Sequence, residues 1–108
     1  SMLKHIQSET ILQLKDEISV QEGQVVSKTL SQNEALSLTL FSFDVNEEIS
    51  THRSEGDALV TILSGTARIT IDNTPFVLSE GQTILMPAQK PHAVFAETAM
   101  KMMLLVVF

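Results

Sequence analysis

The chain has 108 residues, 13 of them acidic and 7 basic, and no cysteine. That length buries one core but not two, and the missing thiols exclude disulfides and thiolate chemistry, as expected of a cytoplasmic protein. A formal net charge of −6, with its few bases scattered, excludes the clustered cations that displace counterions from phosphates, so neither nucleic acid nor a membrane surface is an expected partner.

Ser1 ahead of Met2 reads as a residue left by tag removal, and no secretory leader pattern follows it. Residues 1–24 are expected to form an arm or short strands packed on the barrel or on a partner. Within them Ile11, Leu14 and Ile18 fit a helical face, whereas Ile11, Leu12 and Leu14 also suit a short strand. From residue 25 to 108 the pattern is β. Apolar-rich segments at 25–30 and 35–43 flank the polar turn Ser31-Gln32-Asn33-Glu34. The segment 58–63 ends at Ser64-Gly65, and 66–72 alternates, with Ala67, Ile69 and Ile71 on one face and Thr66, Arg68 and Thr70 on the other. Asn73, tolerant of a left-handed backbone, is the expected pivot of the turn after it. Segments at 76–78, 83–86, 92–96 and 100–107 complete the set. Short strands separated by turns every eight to twelve residues predict an all-β sandwich or closed barrel. The longest apolar run, 102–108, is far below the roughly 20 residues that span a bilayer.

Two of the three histidines lie in recognisable patterns; His5 belongs to the exposed terminus. Asn46, five residues, His52-Arg53-Ser54, three residues, Ala58, six residues, Gly65 keeps the spacing G-x5-H-x-H-x3-E-x6-G. Gly81, five residues, Pro87-Ala88-Gln89, two residues, His92, three residues, Ala96 keeps the spacing G-x5-P-x-G-x2-H-x3-N. On these residues the chain resembles the cupin superfamily over roughly 40–107. The resemblance implies a double-stranded β-helix, or jelly-roll, barrel of the RmlC-like type. Asn46 replaces a turn glycine acceptably, since both visit positive φ.

In cupins of this pattern, two histidines and a glutamate of the first motif join the second-motif histidine around a metal. Carried over, His52 and His92 occupy ligand positions and are the candidate catalytic residues. Ser54 stands where the second histidine would be and Ala58 where the glutamate would be. A divalent ion (Zn, Fe, Mn or Ni) on two ligands would be weakly held. Asp57 is a third ligand only if Gly56 introduces a bulge, because strand parity otherwise turns it outward. Glu47, Glu48 and Glu55 are assigned to a solvated loop.

Losing His and Glu at 54 and 58 also deletes bulk. By parity Val60, Ile62, Val94 and Ala96 share the inward face with Ala58, while Met86 and one of Phe41 or Phe43 close the floor. The expected result is a mostly apolar small-molecule pocket. Met100, Met102 and Met103 read as core, and Lys90 as an exposed lysine. Two functions remain open: a metal-assisted enzyme of isomerase, dioxygenase, decarboxylase or lyase type, or a non-catalytic binding or sensing protein that has lost its metal. The absence of Tyr removes the His–Asp/Tyr scheme of epimerases that share the fold. The last strand is apolar on both faces and Leu59 and Leu63 are apolar outward, so a homodimer is expected unless the N-terminal segment covers them.

Overall fold

The computed structural model describes residues 2–108; Ser1, assigned to tag removal, lies outside them. Nine strands form: β1 (Val25–Gln32), β2 (Leu36–Phe43), β3 (Glu48–His52), β4 (Asp57–Ser64), β5 (Thr66–Ile71), β6 (Thr74–Ser79), β7 (Thr83–Met86), β8 (His92–Ala96) and β9 (Met100–Val107). They pair antiparallel into two facing sheets, ordered β1-β2-β9-β4-β7 and β3-β8-β5-β6. This is the expected jelly roll.

The core between the sheets is built by alternation. On β4 Ala58, Val60 and Ile62 are buried, on β5 Ala67 and Ile69, on β8 Val94 and Ala96, and on β9 Met100, Met102 and Val106. Residues of one face follow at even spacings, with the partly buried Leu104 between Met102 and Val106, as a pleat requires. Gly65 turns β4 into β5 at φ +76°, and a Cβ there would come within 2.2 Å of the Ala99 carbonyl oxygen, so the corner closes only with glycine. Asn46 takes φ +68°, the left-handed conformation expected of it. In the β5–β6 turn the left-handed residue is Asp72, at φ +55°, and not Asn73. Both side chains tolerate that conformation, and the sequence alone does not say which of the two bends.

One expectation is corrected by β3, and the N-terminal segment takes the first of its two alternatives, an arm and not short strands. Glu48 begins a strand that the sequence reading placed in a loop, because β3 is an edge strand with Ile49 as its only apolar residue. Residues 2–24 form no strand; their only regular element is a 3-10 turn over Leu14–Asp16. Ile11, shared by both readings of that segment, is fully exposed, while Ile18 is buried. Ile18, with Ile6, packs on Leu30, Leu40, Val26, Leu38, Leu63 and Met103, a second core on the outer face of the larger sheet. The arm's carbonyls, lacking a ladder, are met by side chains of that sheet. Lys28 Nζ donates to Glu17 O (3.0 Å), Ser42 Oγ to Ser19 O (2.9 Å), and Lys101 Nζ to Lys15 O. No helix among the described residues is long and apolar enough to cross a membrane.

Candidate functional site

His52 ends β3 and His92 begins β8, and the two residues are direct cross-strand partners. Ile49 and His52 are three positions apart, which in a regular strand would put them on opposite faces. The β3–β8 register shifts between them, and this bulge turns both toward the space between the sheets. His52 is exposed at the mouth, whereas His92 is buried at 2 %.

The imidazoles meet edge to face, centroids 4.3 Å apart, with Nε2 to Nε2 at 3.1 Å. Each Nδ1 faces a backbone carbonyl: Ser50 O at 3.0 Å for His52 and Lys90 O at 3.1 Å for His92. A carbonyl only accepts, so both Nδ1 atoms are donors and carry the ring proton of the neutral form. The two Nε2 lone pairs are then aimed at one another. Such a meeting is attractive only with positive charge between the rings, either a proton carried by one of them or a metal ion. Burial holds the His92 pKa below the usual histidine value, against the Lys90 carbonyl, which raises it, and the neighbouring His52 adds to the lowering.

Beneath the pair is a cavity of about 240 Å³ lined by Phe41, Ile49, Ala58, Met86, Val94, Met102, Leu104 and Val106, with His52, Arg53, Ser54 and His92 as its polar wall. The register orders it by depth. Ala58 pairs with both Met86 and Val106 near the histidines, Val60 pairs with Leu104 one layer down, and Phe41 pairs with Met102 below that. The polar groups are therefore at one end and the floor is apolar.

The mouth is formed by the β3–β4 and β7–β8 loops, which are laced together. Gln89, at φ +68° where the motif has glycine, donates N–H to Ser54 O (2.8 Å) and accepts from Arg53 Nη1 (3.1 Å). Ser54 Oγ accepts from Gly56 N (3.2 Å) and faces the cavity.

Of the residues expected at the site, His52, His92, Ser54, Ala58, Met86 and Val94 come together on the wall. Val60, Ile62 and Ala96 are inward but fully buried in the core and do not line the cavity. Asp57 is corrected from ligand to loop clamp: its Oδ1 accepts from Ala88 N at 2.8 Å. Gly56 makes no bulge; Asp57 to Ile62 pair regularly with β9, so parity turns Asp57 outward. What holds Gly56 is close approach, since a Cβ would come within 2.4 Å of Val107 O. Phe41 and not Phe43 reaches the floor. Ile49, Arg53, Leu104 and Val106 were not anticipated. Strict alternation from Met100 to Val106 marks the last two, but the arm makes the outward side of β9 apolar as well and hides the signal.

A conserved protein of unknown function from Streptococcus pyogenes has the same fold at a TM-score of 0.97 and 47 % identity, covering 99 % of this chain and 94 % of that one. A cupin superfamily protein from Desulfitobacterium hafniense matches at 0.95 and 33 % identity over 100 % and 99 %. A cupin 2 conserved barrel domain protein from Leptotrichia buccalis matches at 0.85 and 40 % identity over 87 % and 46 %. No curated protein matches the chain. With the cupin domain profile matching residues 39–108, most of its length, the chain belongs to the cupin family.

Proposed function

We propose that this cupin acts on a small molecule in the cavity headed by His52 and His92, with a divalent metal ion held between the two imidazoles. The observation that carries the reading is the 3.1 Å meeting of two Nε2 atoms whose Nδ1 partners leave both lone pairs directed into one space. His52 and His92 would hold such an ion as two neutral nitrogen donors, with its remaining positions left to water or the ligand. When bound, the ion would supply polarisation of a ligand oxygen or a water of lowered pKa. The Ser50 and Lys90 carbonyls orient the rings, and the apolar floor excludes water from whatever is seated against them.

A second reading, a non-catalytic binding protein, is favoured by one feature. No third His, Cys, Asp or Glu joins the pair among the described residues, and Ser54 and Ala58 occupy the vacated ligand positions. Elemental analysis of protein purified without a chelating column separates the two. Stoichiometric metal lost in both His52→Ala and His92→Ala supports the first, and absence of metal after metal-supplemented expression supports the second.

Self-association through the outer face of the larger sheet completes the proposal. The arm covers Leu38, Leu63 and Met103, but Leu105, Leu59 and Leu85 continue the cross-strand row of Leu38 beyond it, with Leu59 38 % and Leu85 51 % exposed.

A further inference from the structure

Arg53 is the one permanently charged group on the cavity wall, and no carboxylate lines that wall. The surplus of acids over bases, 13 against 7, makes this arrangement informative. The other arginine, Arg68, is paired with Glu97 at 2.8 Å, Lys28 with Glu17 at 3.5 Å, and Lys90 with Asp72 at 3.7 Å. Lys4, Lys15 and Lys101 form no salt bridge among the described residues but lie away from the cavity wall. Arg53 makes no salt bridge among the described residues; its single hydrogen bond runs from Nη1 to Gln89 O. Arg53 is an exposed residue of the mouth. That bond ties its guanidinium to the β7–β8 loop and leaves its remaining N–H donors without a side-chain partner among the described residues, in the fork geometry that matches a carboxylate. Ser54 Oγ and the imidazole pair share the polar end, while all eight other wall residues are apolar.

From this polarity we propose that the cavity takes a small carboxylic acid with an apolar body, its carboxylate paired with Arg53 at the mouth and its hydrocarbon on the Phe41–Met102 floor. The proposal rests on the cavity being the ligand site, as read above, and adds the ligand's chemical class. Size follows from volume. An apolar cavity of about 150 Å³ holds benzene, so about 240 Å³ holds about ten non-hydrogen atoms. Aromatic acids of one ring and straight-chain acids of six to eight carbons meet both conditions. Sugars do not, because the floor offers their hydroxyls no partners.

Methionine-methyl NMR of the full chain reads the test in place, since Met86 and Met102 both face the cavity. The probes are benzoate and hexanoate, each against its amide, which keeps shape and removes charge. Both acids are expected to shift the Met86 and Met102 methyl signals saturably and to bind at least about tenfold more tightly than the amides. Arg53→Gln is expected to erase that difference while leaving amide binding unchanged, and Arg53→Lys to restore part of it. Amides that bind as tightly as acids, or a preference that survives in Arg53→Gln, overturn the carboxylate proposal and leave the cavity as a ligand site. If neither acids nor amides move the two methyl signals at millimolar concentration, the ligand-site reading fails as well.

Discussion

Titration of metal-free protein with zinc tests the imidazole pair at its expected strength. Four-ligand structural zinc sites in peptides have apparent binding free energies of about 10–16 kcal/mol. Two of four donors, already oriented by the Ser50 and Lys90 carbonyls, scale this to about 5–8 kcal/mol, a Kd between about 1 and 200 μM. With a Kd of about 50 μM, 1 mM zinc stabilises the native state by about 1.8 kcal/mol. For a chain of this length that raises Tm by roughly 7 °C or more. Calorimetry gives the affinity and stoichiometry, and cobalt in place of zinc gives a visible spectrum that reports coordination. One ion per chain in the micromolar range is expected, with both the heat and the Tm shift lost in His52→Ala and in His92→Ala. Binding that persists in both variants, or no saturation at 1 mM, would refute the two-imidazole site. A nanomolar Kd would refute the ligand count, since it needs donors that the cavity wall does not supply.

Metal-free protein is expected to lose stability as pH falls below about 6.5. Burial depresses the His92 pKa in the folded state, so in that window the unfolded chain takes up a proton that the folded chain refuses. Urea unfolding at pH 7.5 and 5.5 measures the loss, and a slope unchanged in His92→Gln would reject His92 as its source. Gly65→Ala is expected to lower Tm far more than Gly23→Ala. Both sites have positive φ, worth about 1–2 kcal/mol against alanine, but only at Gly65 does the new Cβ meet backbone, at 2.2 Å from Ala99 O. Equal losses in thermal unfolding would show that close approach is not what constrains the corner. Leu59→Lys combined with Leu85→Lys is expected to convert a dimer to a monomer in sedimentation velocity, and a monomeric parent at micromolar concentration would remove the outer leucine row as an interface.

How much of the fold was legible follows from where parity is clean. β5 and β8 read directly, because their outward residues are polar or half-exposed against a buried inward set, as with Ala67 and Ile69 against Arg68. β3 did not. Its one apolar residue, Ile49, gives no alternation to detect, and its place at a sheet edge means that hydrogen bonding to β8, not side-chain burial, defines it. The arm was ambiguous for a different reason. Ile18 is buried and Ile6 half-buried against the outer face of the larger sheet, and they follow no period of their own, so neither a helical nor a strand template describes them.

The site was half legible for related reasons. The motif spacing singled out His52, His92, Ser54 and Ala58, and strand parity added Val94, since inward direction is a local property of each strand. Parity does not say which inward residues border a cavity and which are sealed beneath it; Val60 and Ile62 face the same way as Ala58, yet the facing sheet closes over them. Nor does it cross an irregularity. Only the shift between Ile49 and His52 brings both to one space, and without it the His52 ring would leave the cavity while Ile49 stayed. The pairing of the two Nε2 atoms thus depends on a bulge in the least regular strand of the barrel. A deletion of one residue between Ile49 and His52, by contrast, would leave them two positions apart, as their partners Val94 and His92 are. It should therefore remove the bulge and keep both imidazoles on the cavity side, whereas inserting one residue there without a compensating bulge should not restore a matched register. Zinc affinity retained in the deletion variant would show that the bulge serves only to absorb the extra residue.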